Sequence, residues 1–290
     1  MTGIHKKADN MKTLAPLFII LLLLPHSAYS QCSDAGVCTI GSHRPSASHH
    51  VGVSYTYGRS SAADDLTFHS AAFEGNFQLQ QDTRLAVTVP WSTQSGPLGS
   101  TSGLGDLILV LDHVVLRSMP GQLNVQLGGK FATGEVNGDN LPQSYQSGLG
   151  TNDFLLGLSY SYDSWNSAIG YQYSRGRSSN PSRLKRGDDL LMRLGYHAPI
   201  ASMTAGLEIL AIKRLEESSV IANTTGRGAA FFSIPKSDQF QVNLLGRFLL
   251  PFEECCSLQA LIAFPILQRD INVDGLTRAL TLSVGLRATI

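Results

Sequence analysis

The stretch from Asp153 to Tyr173 shows a pattern that recurs along the whole chain, in which apolar and polar residues alternate with a period of two. Because side chains alternate across a strand, the stretch predicts two β-strands joined by a tight turn at 163–166. Each arm is about ten residues long, the length that a tilted strand needs to cross a bilayer. Leu155 is the one apolar residue on the polar face of the first arm. The apolar face of that arm consists of Phe154, Leu156, Leu158, Tyr160 and Tyr162.

The same alternation predicts about twelve strands, an even number as expected for a bacterial single-chain barrel. Two of them, 107–116 and 258–266, are apolar on both faces, so the inward face is ambiguous there. We therefore predict an all-β protein, a transmembrane antiparallel up-and-down β-barrel. Besides the two arms above, the predicted strands are 51–57, 73–79, 85–91, 107–116, 123–131, 189–197, 203–209, 240–248, 258–266 and 280–289.

The connections between the predicted strands alternate strictly between short and long. Short turns face the periplasm and long loops face outward in outer-membrane barrels, whereas a soluble sandwich has no reason to sort its loops in this way. The short connections are 80–84, 117–121, 163–166, 199–202 and 251–256. The long ones are 59–66, 92–106, 134–151, 174–187, 215–238 and 268–276.

Composition narrows the choice of function. Only 15% of the residues are charged, the net charge is zero, and a nucleic-acid partner is not expected. After the N-terminus there is no apolar run of about eighteen residues, which excludes a helical membrane protein. The one basic cluster, 175–186, contains five Lys and Arg residues and no acidic residue, and we interpret it as a solvated loop.

The N-terminus resembles a secretory signal. Basic residues precede the apolar stretch 14–24, Pro25 ends it, and Ala28 and Ser30 are small residues at the positions that signal peptidase reads. We predict a cleaved signal at 1–30, a short periplasmic segment at 31–47 and the barrel at 48–290. Translation could start at Met1 or at Met11. The predicted location is the outer membrane of a Gram-negative cell.

Four cysteines lie in the predicted mature chain, and export would place them in an oxidising compartment. Structural disulfides are expected, with three full pairings possible. Metal binding is a weaker alternative, because adjacent cysteines do not easily ligate one ion. Lipidation of the first cysteine fits its preceding residues poorly. Because the N-terminal segment and turn 251–256 are both expected on the periplasmic side, we hypothesise a disulfide bridge between them. The candidates are Cys32, Cys38, Cys255 and Cys256.

Aromatic residues fall near predicted strand ends, where amphipathic rings favour the headgroup level of a membrane. This arrangement is typical of an aromatic girdle. The residues concerned are Tyr57, Trp91, Tyr162, Trp165 and Tyr173.

Several motifs lie at the joins between predicted loops and strands. Residues 87–91 end in Pro-Trp, residues 102–106 read Ser-Gly-Leu-Gly-Asp, and a second Gly-Leu-Gly at 148–150 is followed by Asp153. With Pro265, Gln268 and Gly275, these motifs resemble the outer-membrane family known as MetA pathway of phenol degradation. The resemblance spans most of 51–290 and implies a barrel that carries small, often aromatic or hydrophobic, compounds. One departure is the last residue, Ile290, where such barrels usually have an aromatic that the assembly machinery reads.

Ionisable residues on the predicted inward face are the candidates for lining the lumen. Three of them lie on consecutive predicted strands and could form a charge ladder, namely Arg193, Glu208 and Arg247. Such charges either satisfy one another structurally or set the selectivity of a channel. The complete set is Glu74, Lys130, Arg193, Glu208, Arg247 and Arg287.

An enzyme is the competing class, since some barrels hydrolyse lipids. Catalysis needs a nucleophile activated by a base, and no such motif surrounds any histidine. The pairs considered are His49-His50, His69-Ser70 and Asp112-His113, of which the last is the best candidate. We predict no catalytic residue, no metal and no cofactor.

The sequence therefore predicts a barrel for passive passage of small molecules, aromatic or hydrophobic ones among them. The expected partners are outer-membrane lipid, the small-molecule cargo and the outer-membrane assembly machinery. A structural or adhesive barrel without transport is the alternative, and a lipid-acting enzyme is a more distant one. The identity of the cargo, an open or plugged lumen, the disulfide pairing and the oligomeric state all stay open.

Overall fold

The computed structural model describes residues 40, 49–60, 65–118, 120–176, 183–223, 229–253, 255–273 and 278–290, without the side chains of 222, 223 and 229. The predicted signal, Cys32, Cys38 and all of segment 31–47 except Ile40 lie outside these residues.

Fifteen strands lie in the described part of the chain. Their bounds are β1 (His50–Ser60), β2 (Thr67–Gln80), β3 (Thr83–Gly96), β4 (Gly99–Leu104), β5 (Leu107–Ser118), β6 (Gly121–Phe131), β7 (Asp153–Tyr162), β8 (Trp165–Ser174), β9 (Asp189–Ile200), β10 (Met203–Arg214), β11 (Ser219–Asn223), β12 (Ala229–Ser233), β13 (Phe240–Pro251), β14 (Cys256–Leu267) and β15 (Arg278–Thr289).

Twelve of these strands form a closed antiparallel barrel, which confirms the predicted fold. Each barrel strand pairs with the next one along the chain, and β15 closes the ring by pairing with β1, His50 opposite Thr289. Closure leaves no open edge, as a bilayer requires. The short connections all lie at one end, called here the short-turn end, and the long ones at the other, the long-loop end.

Two connections predicted as loops contain strands instead. β3 continues to Gly96, and β4 folds back along its upper half before β5 pairs with its lower half. The break between β4 and β5 falls opposite Pro90, whose carbonyl accepts a 2.8 Å hydrogen bond from the N–H of Gly105. Connection 215–238 likewise contains the β11–β12 hairpin. The upper half of β3 reads Ser-Thr-Gln-Ser, polar on both faces, so period-two alternation is absent there.

Burial follows the predicted alternation around the barrel. Apolar side chains such as Val53, Leu127 and Leu207 are at least half exposed on the outer surface, where lipid would cover them. At the short-turn end the ring of Trp165 meets that of Tyr196 edge-on, with centroids 5.0 Å apart. Tyr162 is exposed near this pair, while Trp91 and Tyr173 are exposed towards the long-loop end. These positions match a girdle at each end of the apolar band.

Connection 132–152 crosses the long-loop end and contains the only helical turns of the described residues, Gly138–Asn140 and Gln143–Tyr145. Within the part that the structure describes, no helix has the length and hydrophobicity to span a membrane. Tyr145 is buried against Leu66 and Phe68, so this connection is fixed to the top of β2.

Candidate functional site: the barrel interior

Glu208 is the centre of a charge cluster on the inner wall. Its Oε2 lies 2.5 Å from Nη1 of Arg193 on β9, and its Oε1 lies 2.8 Å from Nε of Arg247 on β13. The imidazole of His197 contributes Nε2 at 3.1 Å from Oε1. Three neighbouring strands thus bring these groups together around one carboxylate. Arg193, Glu208 and Arg247, which the sequence places on consecutive predicted strands, are joined here by two ion pairs through the one carboxylate.

The ladder continues around the inner wall of the barrel through β14, β15, β1 and β2. Gln259, with its amide oriented to fit its neighbours, accepts hydrogen bonds from Nε and Nη2 of Arg287 at 2.8 and 3.2 Å. Arg287 on β15 and Glu74 on β2 are the register partners of Gly52 on its two sides, so the two side chains face the interior at the same level of the wall. Glu74 accepts a 2.8 Å hydrogen bond from the hydroxyl of Ser54. Glu74 and Arg287 therefore extend the ladder to seven consecutive strands.

On the opposite wall a single buried carboxylate is held by amides. Asp112 on β5 accepts hydrogen bonds from Asn124 at 2.6 Å and from Gln126 at 2.8 Å, both on β6. Arg84 faces inward directly across from Asp112 in the register of β3 and β5. The short-turn half of the interior is thus polar on all sides.

An apolar belt crosses the middle of this interior. Its members are buried residues that face inward from seven strands, together with Ile40 of the N-terminal segment. Ile40 lies against Gly157 and Gly170, where an added Cβ would come within 2.7 Å of its Cγ2. Only glycine leaves that space at both positions. The belt consists of Ile40, Ala86, Ile108, Val110, Leu155, Leu191, Leu210, Ile212, Leu245, Leu261 and Ala263.

Two ion clusters close the interior at the long-loop end. Asp153 pairs with Lys130 at 2.8 Å and with Arg186 at 2.9 Å through the same Oδ2 atom. Asp189 pairs with Arg214 and Arg269 at 3.1 and 3.3 Å. Arg186 and Arg269 come from the connections rather than from the strands, so they tie those connections to the barrel.

The two glycine motifs of the sequence meet at the same end. Asp106 accepts hydrogen bonds from the N–H of Gly134 at 3.2 Å and from that of Leu149 at 3.0 Å. An added Cβ on Gly134 would lie 2.5 Å from the Cα of Gly148, so the two backbones touch. Burial of Asp106 raises the pKa of its carboxyl, although the Lys130 charge and the two N–H donors act in the opposite direction. The Asp106 carboxylate therefore anchors connection 132–152.

The structure places all six predicted lumen residues on the inward face. Lys130, Arg193 and Glu208 are buried, whereas Glu74, Arg247 and Arg287 are partly accessible. Lys130 does not join the ladder, because it lies at the long-loop end with Asp153. A role of these residues in selectivity stays a prediction.

The prediction that 175–186 is a solvated loop is wrong for Arg186, which is completely buried inside the barrel, and residues 177–182 of this segment lie outside the described part of the chain. Its partner Asp153 is 33 positions away in sequence, so no local pattern could indicate the contact. The period-two pattern also does not indicate most of the inward-facing apolar residues. Leu155 stood out as an exception, and the two strands that are apolar on both faces carried the signal, since they supply Ile108, Val110, Leu261 and Ala263.

The histidine pairs considered for catalysis do not form a catalytic arrangement among the described residues. Asp112 faces inward, while His113 faces outward and exchanges a 2.9 Å hydrogen bond with the hydroxyl of Thr83. His69 lies on the outer face with Tyr55, and Ser70 faces inward. His49 is exposed and His50 is buried at the start of β1.

Cys255 and Cys256 lie at the short-turn end with their sulfur atoms 2.8 Å apart, and no disulfide joins them to each other or to another described residue. Because Cys32 and Cys38 lie outside the described residues, the expected bridge to the N-terminal segment stays a prediction.

Comparisons with known proteins concern the fold alone. No family model matches this chain, so membership of the MetA pathway family is not confirmed. No curated protein matches it either. Its structure is similar to that of an outer membrane channel from Pseudomonas putida F1, with a TM-score of 0.64 and 14% identity over 90% of this chain and 100% of that one. It is also similar to the NanC porin, with a TM-score of 0.52 and 8% identity over 82% and 100% of the two chains. The chain therefore has the fold of an outer-membrane β-barrel.

Proposed function

We propose that this protein is an outer-membrane channel through which small molecules with an apolar part pass passively. The observation that carries this proposal is the apolar belt inside an otherwise polar barrel. A barrel interior whose side chains served only stability could consist of hydrogen-bonded polar groups throughout. An apolar belt contributed by seven of the twelve barrel strands instead provides a low-energy path for an apolar solute.

The size of the barrel is compatible with this role. Eight strands enclose just enough space for side chains, and sixteen or more leave a wide aqueous pore. Twelve strands lie between these limits, so a modest movement of side chains opens or closes the path. Leu155, Leu245 and Arg186 have almost no exposed surface, which corresponds to a closed form. Passage then requires displacement of groups held by the connections, of which Arg186 is the clearest example.

The same tight filling favours one competing function, a structural barrel without transport. The two functions differ in permeability. Purified protein would be inserted into liposomes, and swelling would be followed in phenyl glucoside and in glucose, neutral solutes that differ by an aromatic ring. A channel with an apolar belt admits phenyl glucoside faster than glucose, relative to empty liposomes.

Substitution in the belt sharpens the test. Leu245→Asn places an amide in the belt and is expected to reduce the preference for phenyl glucoside, whereas Leu245→Met conserves volume and hydrophobicity and retains it. Heat-modifiable migration on gels would show that each variant is folded. Folded protein with no permeability to either solute and no conductance in planar bilayers would favour the structural barrel.

A further inference from the structure

In the ladder that contains Arg247 and Arg287, the guanidinium groups outnumber the carboxylates. In the ladder, three guanidinium groups (Arg193, Arg247 and Arg287) face two carboxylates, those of Glu208 and Glu74. Among the described side chains that face the interior of this half, the other two formal charges belong to Arg84 and Asp112, which are of opposite sign and face each other in the register. The described inward-facing side chains of this half therefore carry one excess positive charge, not counting His197.

Arg247 also has hydrogen-bonding capacity that the protein does not use. Its Nε is paired with Glu208, but among the described residues no group accepts a hydrogen bond from its buried Nη2 atom. A buried donor without an acceptor is costly, and in native proteins it usually indicates a bound ion or water. The side chain of Arg247 is 25% exposed, so a solute in the interior can reach it.

The neighbourhood of the two arginines is apolar on one side. Leu245 precedes Arg247 by two positions on the same inward face, and Leu261 is its register partner on β14. Both leucines belong to the apolar belt and are almost completely buried. A ligand at this position can therefore bind the guanidinium of Arg247 through a carboxylate and contact the leucine side chains through an apolar part.

We propose that Arg247 and Arg287 form a binding site for small organic carboxylates, with Leu261 contacting the apolar body of the ligand. Guanidinium groups match carboxylate geometry, and a carboxylate between the two arginines removes their mutual repulsion. The site lies near the short-turn end, since Arg287 pairs with Gly52 close to the start of β1. The proposal rests on the proposed function only in that the interior must admit small molecules.

Binding can be measured without transport. Calorimetric titration of the folded protein in detergent at neutral pH would compare sodium benzoate, benzamide, acetate and inorganic phosphate. Benzoate is expected to bind about tenfold or more tightly than benzamide, which has the same ring without the charge. Acetate and phosphate are expected to bind more weakly than benzoate, because they lack the ring that contacts Leu261. Equal affinities for all three anions would indicate non-specific anion attraction and would overturn the proposal.

Variants of opposite effect make the test specific. Arg287→Gln leaves the ion pairs of Glu208 intact, because Arg287 is not one of its partners. This substitution is expected to weaken benzoate binding about tenfold or more. Glu74→Gln removes the carboxylate that competes with a ligand for Arg287, so benzoate should bind more tightly to this variant. Leu261→Ala should weaken binding of benzoate but not of acetate. Arg117→Gln is the matched control, because that arginine is exposed and pairs with Asp82 outside the interior.

The outcomes separate this site from the transport role. Unchanged benzoate affinity in Arg287→Gln, or equal affinity for benzamide, would overturn the site whether or not the barrel conducts. Specific binding together with an impermeable barrel would support the site and contradict the channel.

Discussion

Arg186 extends from the connection between β8 and β9 into the barrel, where its Nη2 lies 2.9 Å from Oδ2 of Asp153. Both side chains are completely buried. Asp153 also pairs with Lys130 and accepts a 2.7 Å hydrogen bond from Gln172. Because one of the two cations comes from a connection and the other from a strand, this carboxylate holds the connection across the long-loop end.

Removal of Arg186 is therefore expected to open the barrel without unfolding it. In Arg186→Ala, Asp153 keeps Lys130 and Gln172, so the loss of stability should be about 1–3 kcal/mol. Single-channel recordings in planar bilayers should show a higher conductance than the unmodified protein, and urea unfolding in lipid vesicles would give the stability change.

Arg183→Ala is the control for this experiment, since Arg183 is an exposed residue of the same connection. It should change neither conductance nor stability. Equal conductance in Arg186→Ala and the unmodified protein would show that the Arg186–Asp153 pair does not restrict the passage.

Glu208→Gln tests how far the ladder contributes to stability. The substitution leaves Arg193 and Arg247 without their shared carboxylate, and an uncompensated buried charge typically costs about 3–5 kcal/mol. Glu253→Gln changes the same chemical group on the exposed β13–β14 turn and should change stability by less than about 0.5 kcal/mol. Equilibrium unfolding of both variants in vesicles provides the comparison. If the two variants were equally stable, the ladder would not be a stabilising cluster.

The period-two pattern was sufficient to place the barrel strands, because each has lipid-facing residues such as Val53 or Leu207 that must be apolar. It could not reveal what fills the interior. Leu191 faces inward between Asp189 and Arg193, and a single apolar residue on a polar face does not change the pattern of the strand. Arg186 was misassigned for a different reason, since its surroundings in sequence are polar and its partner is distant. Contacts between connections and strands depend on the closed fold, which local patterns do not contain.

Asp106 should make the anchoring of connection 132–152 depend on pH. Because burial raises the pKa of this carboxyl above its ordinary value, the folded state binds its proton more tightly than the unfolded state does. The stabilisation from this shift is complete below the ordinary pKa of about 4 and is lost as the pH rises through the raised value.

Measurement of unfolding free energy against pH in the unmodified protein and in Asp106→Asn would test this sign. The stability of the unmodified protein relative to Asp106→Asn should fall as the pH rises from about 4 towards 7. A relative stability that increased over the same range would mean that the two N–H donors, rather than burial, dominate at this carboxyl.

The last prediction concerns the cysteines at the short-turn end. The carbonyl of Cys255 accepts a 2.7 Å hydrogen bond from the N–H of Thr289, and the carbonyl of His49 accepts one from Ile290 at 3.0 Å. Turn 251–256 therefore lies beside the start of β1, where the N-terminal segment joins the barrel. This proximity supports the predicted bridge from Cys255 or Cys256 to Cys32 or Cys38.

Protein extracted from membranes without reductant is expected to show no reaction with maleimide, and reduction should lower its stability by about 2–5 kcal/mol. Non-reducing peptide mass spectrometry would identify the pairing, since a cross-link joins an N-terminal peptide to the peptide containing Cys255 and Cys256. In Cys32→Ser, one thiol should become reactive if two cross-links are present in the unmodified protein. Reaction of both Cys255 and Cys256 before reduction would contradict the bridge, and a disulfide between these two residues alone would leave the N-terminal segment unattached to the turn.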